Sequence, residues 1–363
     1  MTYANDSDLS FIATLSKEWI DSALDKEFRG AKFYWTKERA REFGDVYIED
    51  LLLDEYFLNG KKWMYSGIVD TILDIWEERK KRTIRVICIA AGYGSGKTAG
   101  FGAVLNWLNW YEFTCKFNPE SNVACPQEYY GQKPTSWVAF IALSKTLDKS
   151  KKITFSEMGP SFGSHFNRDY FPVNPNKQSM LEIPGNYTMV FPNTASAASN
   201  AGYNVYSFVM DEISFLEVVD TSSRARGKAL NPYDQAKEAF DSAYGRMVSR
   251  FKNDGMGILI SSVNYDEDFL MTKMRKAYES NLEESEVYFK ILLPWKVNPK
   301  KYSFDKYFYF DTTKFEIIDN EKEIKALDKY YVDVPMEDVV FGSSIDDPND
   351  QLLEKVRKGK VSV

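Results

Sequence analysis

Val86-Ile87-Cys88-Ile89-Ala90-Ala91-Gly92-Tyr93-Gly94-Ser95-Gly96-Lys97-Thr98 is the stretch on which the reading of this chain turns. Its first five residues are a continuous apolar run, which fits a strand covered on both faces. Gly92, Gly94 and Gly96 then let the backbone adopt conformations closed to other residues and turn its N–H groups inward, around phosphate oxygens. The stretch beyond, Ala99 to Tyr111, is compatible with a helix, whose N-terminus adds favourable charge for an anion. An ordinary glycine-rich turn is the alternative, and it loses ground once strand, loop and helix line up.

From Thr83 onward, short apolar and β-branched runs alternate with helix-like segments, the signature of a parallel sheet built from βαβ units. The strand candidates are Thr83 to Ala90, Trp137 to Leu143, Tyr187 to Phe191, Val205 to Met210, Gly257 to Val263 and Val287 to Leu293. Upstream, apolar residues at helical spacing between Leu9 and Phe43 predict a helical N-terminal region. A second helix is expected over Tyr65 to Lys80, where the run Glu78-Arg79-Lys80-Lys81-Arg82 suits a last turn with cations offsetting exposed carbonyls.

Composition narrows the chemistry. The chain has 363 residues, a formal net charge of −7 and 44% apolar residues, enough for a sizeable core but not for a broad basic face that coats nucleic acid. No apolar run is long enough to span a membrane and the N-terminus is polar, so no membrane association and a cytoplasmic setting are expected. Cys88, Cys115 and Cys125 lack zinc-type spacing, which fits a reducing compartment, and Cys88 reads as a buried strand residue. The single histidine, His165, reads as a loop residue and removes most metal-histidine and Ser-His-Asp chemistries from consideration.

Residues 91–98 resemble the Walker A motif, with Ala91 in place of the first glycine. In that reading Gly92, Tyr93, Gly94, Ser95, Gly96, Lys97 and Thr98 bind ATP. Lys97 reaches the β- and γ-phosphates, and the Thr98 hydroxyl holds Mg²⁺. Downstream, Val205-Tyr206-Ser207-Phe208-Val209-Met210-Asp211-Glu212 is an apolar run ending in two carboxylates and looks like a Walker B motif. Asp211 would bind Mg²⁺ through its water shell and Glu212 would orient or deprotonate the attacking water. Two acids at a strand end are often just solvated loop residues. Their partnership with the loop is what favours chemistry, because the C-terminal ends of neighbouring parallel strands meet at one crevice. A weaker third signal is the strand Gly257 to Val263, with Ser261, Ser262 and Asn264. By itself it reads as an ordinary turn; in an ATPase with an additional central strand such residues sense the γ-phosphate.

In order and spacing these segments resemble the ATPase domain of tailed-phage terminase large subunits, over roughly Asp54 to Pro335. The resemblance implies an α/β P-loop NTPase of the ASCE/RecA-like type, with a mainly parallel central sheet flanked by helices. It divides the chain into a helical N-terminal extension (1–53), the ATPase domain with a small C-terminal subregion (54–335) and a tail (336–363). It further implies Mg²⁺-dependent ATP hydrolysis coupled to translocation of double-stranded DNA into a procapsid, by a homo-oligomeric ring working with the portal and a small terminase subunit in the host cytoplasm. Trp63 or Tyr65 falls where the family contacts adenine, although core packing explains aromatic residues equally well.

Tyr331-Val332-Asp333-Val334-Pro335 resembles the segment leading to the family's nuclease. Residues 336–363 are too few for such a domain, and Asp346, Asp347 and Asp350 sit together in a polar stretch, so no nuclease activity is expected. The family's arginine in or beside the Walker A loop is missing here. Arg224, Arg226, Arg246 and Arg250 are the candidates by position for a charge-neutralising arginine finger, in cis or from a neighbouring subunit, each with a surface role as the plainer reading. The basic segment Lys145 to Lys152 would touch DNA phosphates or form a solvated helix face. Another ASCE-type helicase or remodelling ATPase and a non-catalytic nucleotide-binding scaffold are the alternatives.

Overall fold

The computed structural model describes residues 32–292 except 93, 117–124, 175–178, 197–201, 217, 220–232, 263–267 and 281–284; beyond 292 it describes Val297 and the segments 307–311, 316–317, 334–335 and 358–362. The expected helix between Leu9 and Phe28 lies outside these residues. The chain forms two compact units, Met1–Val297 and Asn298–Val363.

In the first unit the apolar runs form strands β1 (Val86–Ala91), β2 (Val138–Ser144), β3 (Leu181–Ile183), β4 (Thr188–Thr194), β5 (Asn204–Asp211), a short ribbon of β6 (Val218–Val219) with β7 (Tyr233–Asp234), β8 (Met256–Ser261) and β9 (Val287–Leu292). Seven of them make one sheet in the order β3-β4-β2-β5-β8-β1-β9. All its pairings are parallel except β3 with β4. The six sequence-predicted strands are all present, with ends displaced by a few residues. The short edge strand β3 went unpredicted, because Leu181-Glu182-Ile183 has no apolar run to mark it.

Why the runs are continuous rather than alternating is clear from the packing. Ile87, Ile89 and Ala91 of β1 join one hydrophobic cluster with Phe101, Trp107, Trp110 and Tyr206. Val86, Cys88 and Ala90 point the other way, into a second cluster with Phe208, Phe240, Met247 and Leu259. Successive strand residues face opposite sides, and both sides are covered by helices, so every position must be apolar.

Helix Ser66–Lys81 carries Arg79, Lys80 and Lys81 in its last turn, as expected, with Lys80 and Lys81 paired to Glu77 and Glu78. Helix Lys37–Gly44 is capped by the Thr36 side chain, which accepts from the Arg39 N–H. Trp35 and Phe43 pack against Phe166, Tyr170 and Phe171, so this segment belongs to the core of the unit. His165 is not in a loop. It opens helix His165–Tyr170, capped by Ser164, whose hydroxyl oxygen accepts from the Asn167 N–H. The Gly/Ser/Asn-rich sequence around it conceals a cap rather than a coil. Cys88 is buried in β1 as expected, and burial pushes its thiol up to about 12.

The second unit contains a four-stranded sheet in which β10 (Tyr307–Asp311) pairs antiparallel with β11 (Glu316–Ile317) and with β13 (Lys358–Ser362), and β12 (Val334–Pro335) runs parallel to β13. Chain contacts divide at Val297, and β13, near the end of the chain, pairs with β10 and β12 in this sheet. Asp346, Asp347 and Asp350 lie outside the described residues.

Candidate nucleotide site

The glycine-rich loop leaves the C-terminal end of β1 in the interior of the sheet. Gly94 and Gly96 have φ of 75° and 74°, a region that favours glycine. Ser95 is fully buried and closes the loop on itself: its hydroxyl donates to Gly92 O at 2.8 Å. A Cβ on Gly96 would stand 3.3 Å from Ile68 Cδ1 and 3.4 Å from the Tyr65 ring, so helix Ser66–Lys81 backs the loop directly. Lys97 is buried, 8% exposed, and starts a π-helical turn, Lys97–Ala103, that runs into helix Val104–Thr114. Such turns recur at functional sites. Tyr93 lies outside the described residues.

Asp211 ends β5 and is 3% exposed. Its Oδ2 accepts from the Thr98 hydroxyl at 3.1 Å and from the Thr154 hydroxyl at 2.9 Å. Its Oδ1 is buried with no hydrogen-bond partner among the described residues. Burial raises the Asp211 carboxyl above the usual carboxylate range, against the lowering effect of the Thr154 and Thr98 hydroxyls. A buried carboxylate oxygen left without a donor, beside a threonine hydroxyl and a buried lysine, fits the donor set that Mg²⁺ takes in nucleotide sites: one carboxylate, one hydroxyl, and phosphates and waters for the rest. Mg²⁺ needs no cage of acids, and no cluster of three or more His, Cys, Asp or Glu occurs among the described residues. Glu212, the next residue, is in the left-handed region, φ 53° and ψ 40°, a conformation that costs a non-glycine residue about 1–2 kcal/mol.

The third segment joins the other two. β8 lies between β1 and β5, with Ser261 level with Ala90 and Ile260 level with Asp211. The buried Ser261 hydroxyl accepts from the Ser214 N–H at 3.2 Å and donates to Ser262 O at 2.9 Å. It therefore ties the end of the inserted strand to the 3₁₀ turn Ile213–Phe215 just after Glu212. Ser262 is buried too, and its hydroxyl has no partner among the described residues. Asn264 lies outside them.

The family model described as "Uncharacterized protein MJ0330, N-terminal P-loop domain" matches residues 47–317. The chain belongs to that P-loop family. No curated protein matches it. Solved structures similar to it include the large terminase of bacteriophage HK97, with 13% identity and a TM-score of 0.44 over 75% of this chain and 46% of that one. The large terminase ATPase domain of Thermus phage P74-26 is another, with 12% identity and a TM-score of 0.40 over 62% of this chain and 82% of that one. A third is the large terminase of the thermophilic bacteriophage D6E in complex with ATP-gamma-S, with 8% identity and a TM-score of 0.37 over 74% and 57%. The chain thus spans under half the length of the HK97 protein.

Other candidates fall at varying distances from the P-loop. Arg250 at the end of helix Gln235–Phe251 contacts Asn204, the first residue of β5, whereas Asp211 is the last. The length of the strand separates the two by about 23 Å. Arg250 thus contacts the end of β5 remote from Asp211, and Arg246 lies one turn earlier on the same helix; a role of either toward a neighbouring subunit is untouched. Arg224 and Arg226 lie outside the described residues. Trp63 is 43% exposed, donates to Leu58 O at 3.0 Å and lines a cavity of about 220 Å³ with Leu58, Ala99, Glu157, Pro160 and Ser161, next to Thr98. Lys145 to Lys152 fold as the start of a helical stretch capped by Thr146, with Lys149, Lys151 and Lys152 exposed and Lys152 paired to Asp148 at 3.1 Å. Thr154, just beyond these lysines, was missed by sequence reasoning: it stands between Ile153 and Phe155 in a stretch whose charge draws the eye, and no motif marks it. Among the described residues no helix is long and apolar enough to cross a membrane.

Proposed function

We propose that this P-loop domain is the ATP-hydrolysing motor of a viral terminase large subunit, driving double-stranded DNA into a procapsid. The observation that carries the ATPase reading is the convergence of Lys97, Thr98, Asp211 and Glu212 at one end of the sheet, with Thr98 and Asp211 in direct hydrogen-bond contact. Order and spacing of the three motifs support the terminase assignment.

Bound at Thr98 and Asp211, Mg²⁺ would supply charge neutralisation on the β- and γ-phosphates. Lys97 and the loop N–H groups hold those phosphates in place. Glu212 positions a water and takes its proton while the water oxygen bonds to the γ-phosphorus; the bond to the bridging oxygen breaks and ADP leaves. Ser261, through Ser214, passes the state of the Glu212 turn to β8. The adenine lies against Trp63, in the cavity beside Ala99. An arginine completing the site comes from a neighbouring subunit of a ring, and the exposed lysines 149, 151 and 152 face DNA phosphates. The portal and a small terminase subunit are the expected partners, in the host cytoplasm.

The test is ATP turnover by the purified chain against Lys97→Ala and Glu212→Gln, across a protein concentration series, with and without double-stranded DNA. Turnover that rises with concentration or DNA and is lost in both variants is the expected result. ATP binding without turnover under any condition would favour the scaffold reading, and strand unwinding would favour a helicase.

A further inference from the structure

Asp211 Oδ2 has two hydroxyl donors, and only Thr98 belongs to a nucleotide motif. The other, Thr154, is 1% exposed and comes from the opposite side, on the π-helical turn Ser150–Phe155 after β2. Two features hold it there. The wider turn brings Thr154 inward while Lys151, Lys152 and Ile153 stay outside, and the buried Ser150 hydroxyl pins the start of the turn to Ala142 O in β2 at 2.7 Å. In the nucleotide-site reading the Thr98 hydroxyl has two duties, donating its proton to Asp211 and offering a lone pair to the cation. Thr154 has no such competing duty.

We propose, resting on the nucleotide-site reading, that Thr154 is a positioning residue for Asp211. It holds Oδ2 by a hydrogen bond from outside the nucleotide motifs, so that the buried Oδ1, which has no partner among the described residues, is presented to the metal. A free carboxylate in this pocket would rotate about its Cβ–Cγ bond, and fixing one oxygen fixes the other. The same bond joins the end of β5 to the helical stretch that carries Lys149, Lys151 and Lys152.

The test compares equilibrium binding of a fluorescent ATP analogue in EDTA and in Mg²⁺, for the wild type, Thr154→Val and Thr154→Ser. The ratio of the two dissociation constants measures how strongly the metal tightens the nucleotide. Loss of one hydrogen bond to a charged group predicts that Thr154→Val shrinks this ratio about tenfold with the EDTA value unchanged, and that Thr154→Ser restores it. An unchanged ratio in Thr154→Val, or a Ser variant as impaired as the Val variant, overturns the proposal. Should Thr154→Val fail to fold, Thr154→Ala against Thr154→Ser isolates the hydroxyl in the same way. Lys97→Ala keeps the two readings apart: wild-type binding that is lost in Lys97→Ala upholds the nucleotide site whatever the Thr154 variants do, and no wild-type binding at all overturns both.

Discussion

Glu212 holds φ 53° and ψ 40° while its neighbours Asp211 and Ile213 sit in regular structure. The 3₁₀ turn after it maintains the strain: the Phe215 N–H donates to Glu212 O at 3.0 Å and the Ser214 N–H is held by Ser261. A glycine accepts this conformation without the clash of a Cβ, so Glu212→Gly is expected to raise the melting temperature, by an amount corresponding to at most about 1 kcal/mol. Turnover should meanwhile fall at least about 100-fold, the usual worth of a positioned base. Thermal melts and ATP turnover on the same preparation check this, and a lowered melting temperature would show that the Glu212 side chain contributes to the fold. Asp211 makes the opposite trade. Its carboxyl is buried with one oxygen unpartnered among the described residues, and burial raises its pKa. A group raised in this way is disfavoured in its ionised form, so it weakens the fold at neutral pH and weakens it less as pH falls. Asp211→Asn should therefore raise the metal-free melting temperature, and any stabilisation that Mg²⁺ with ATP brings to the wild type should be absent from it. Differential scanning calorimetry with and without Mg·ATP reads both effects. These two carboxylates were legible in the sequence because a strand ending in Asp-Glu is a pattern; Thr154 was not, because its partner is distant in sequence and its neighbours carry no motif.

Between elements, glycines set how closely the P-loop can be approached. Gly100 lies on the π-helical turn, and a Cβ there would come within 2.5 Å of Ile68 Cδ1 and 3.0 Å of Ile68 Cγ2. Gly100→Ala should force helix Ser66–Lys81 away from the loop and destabilise the fold by about 1–3 kcal/mol. Since the tightest contact is the Ile68 δ-methyl, adding Ile68→Val should recover part of the loss. A double-mutant cycle by urea unfolding measures that coupling, and strictly additive effects would exclude the contact. This close packing explains what could and could not be foreseen among the elements. Strands β1, β2, β5 and β8 announced themselves because both faces are buried and nearly every residue is apolar. The π-helical turns Lys97–Ala103 and Ser150–Phe155 did not, because no residue pattern in them distinguishes a π-helical turn from an α-helical one. His165 was misread for a related reason: a cap formed by Ser164 looks like loop composition until the helix behind it is seen.

Across the whole first unit, the nucleotide motifs occupy the C-terminal ends of the strands, and a second set of charges gathers near their N-terminal ends. Arg79 pairs with Glu112 at 3.0 Å and Lys116 with Asp254 at 3.4 Å, while Asp254 also accepts from the Tyr130 hydroxyl at 3.0 Å. Tyr130 stands in turn beside the fully buried Tyr206 of β5. Helix Ser66–Lys81, helix Val104–Thr114, the turn after helix Gln235–Phe251 and β5 are thereby joined by one polar network, which the sequence concealed because its members are up to 175 positions apart. The chain reads as a motif at one end of the sheet and as ordinary surface charge at the other, yet both ends depend on residues brought together only by folding. Arg79 is the member with most to lose: its side chain is 12% exposed, contacts Asn109 and Glu112, and stacks 5.2 Å from the Trp76 ring. Arg79→Met keeps most of the stem packing but leaves Glu112 only the longer ion pair with Lys116 at 3.8 Å, and depriving a partly buried carboxylate of its nearer cation costs more than the pair itself contributes. Glu112 is 30% exposed, so water recovers part of that loss. The expected destabilisation is about 1–3 kcal/mol, and Arg79→Met with Glu112→Gln should be more stable than Arg79→Met alone. Because this network lies at the far ends of the strands from Lys97 and Asp211, nucleotide affinity below the melting transition should be unchanged in both variants. Urea unfolding and ATP-analogue binding on the same proteins decide the matter: a weakened affinity with an unaltered unfolding midpoint would mean that the network serves the nucleotide site rather than the framework that carries it.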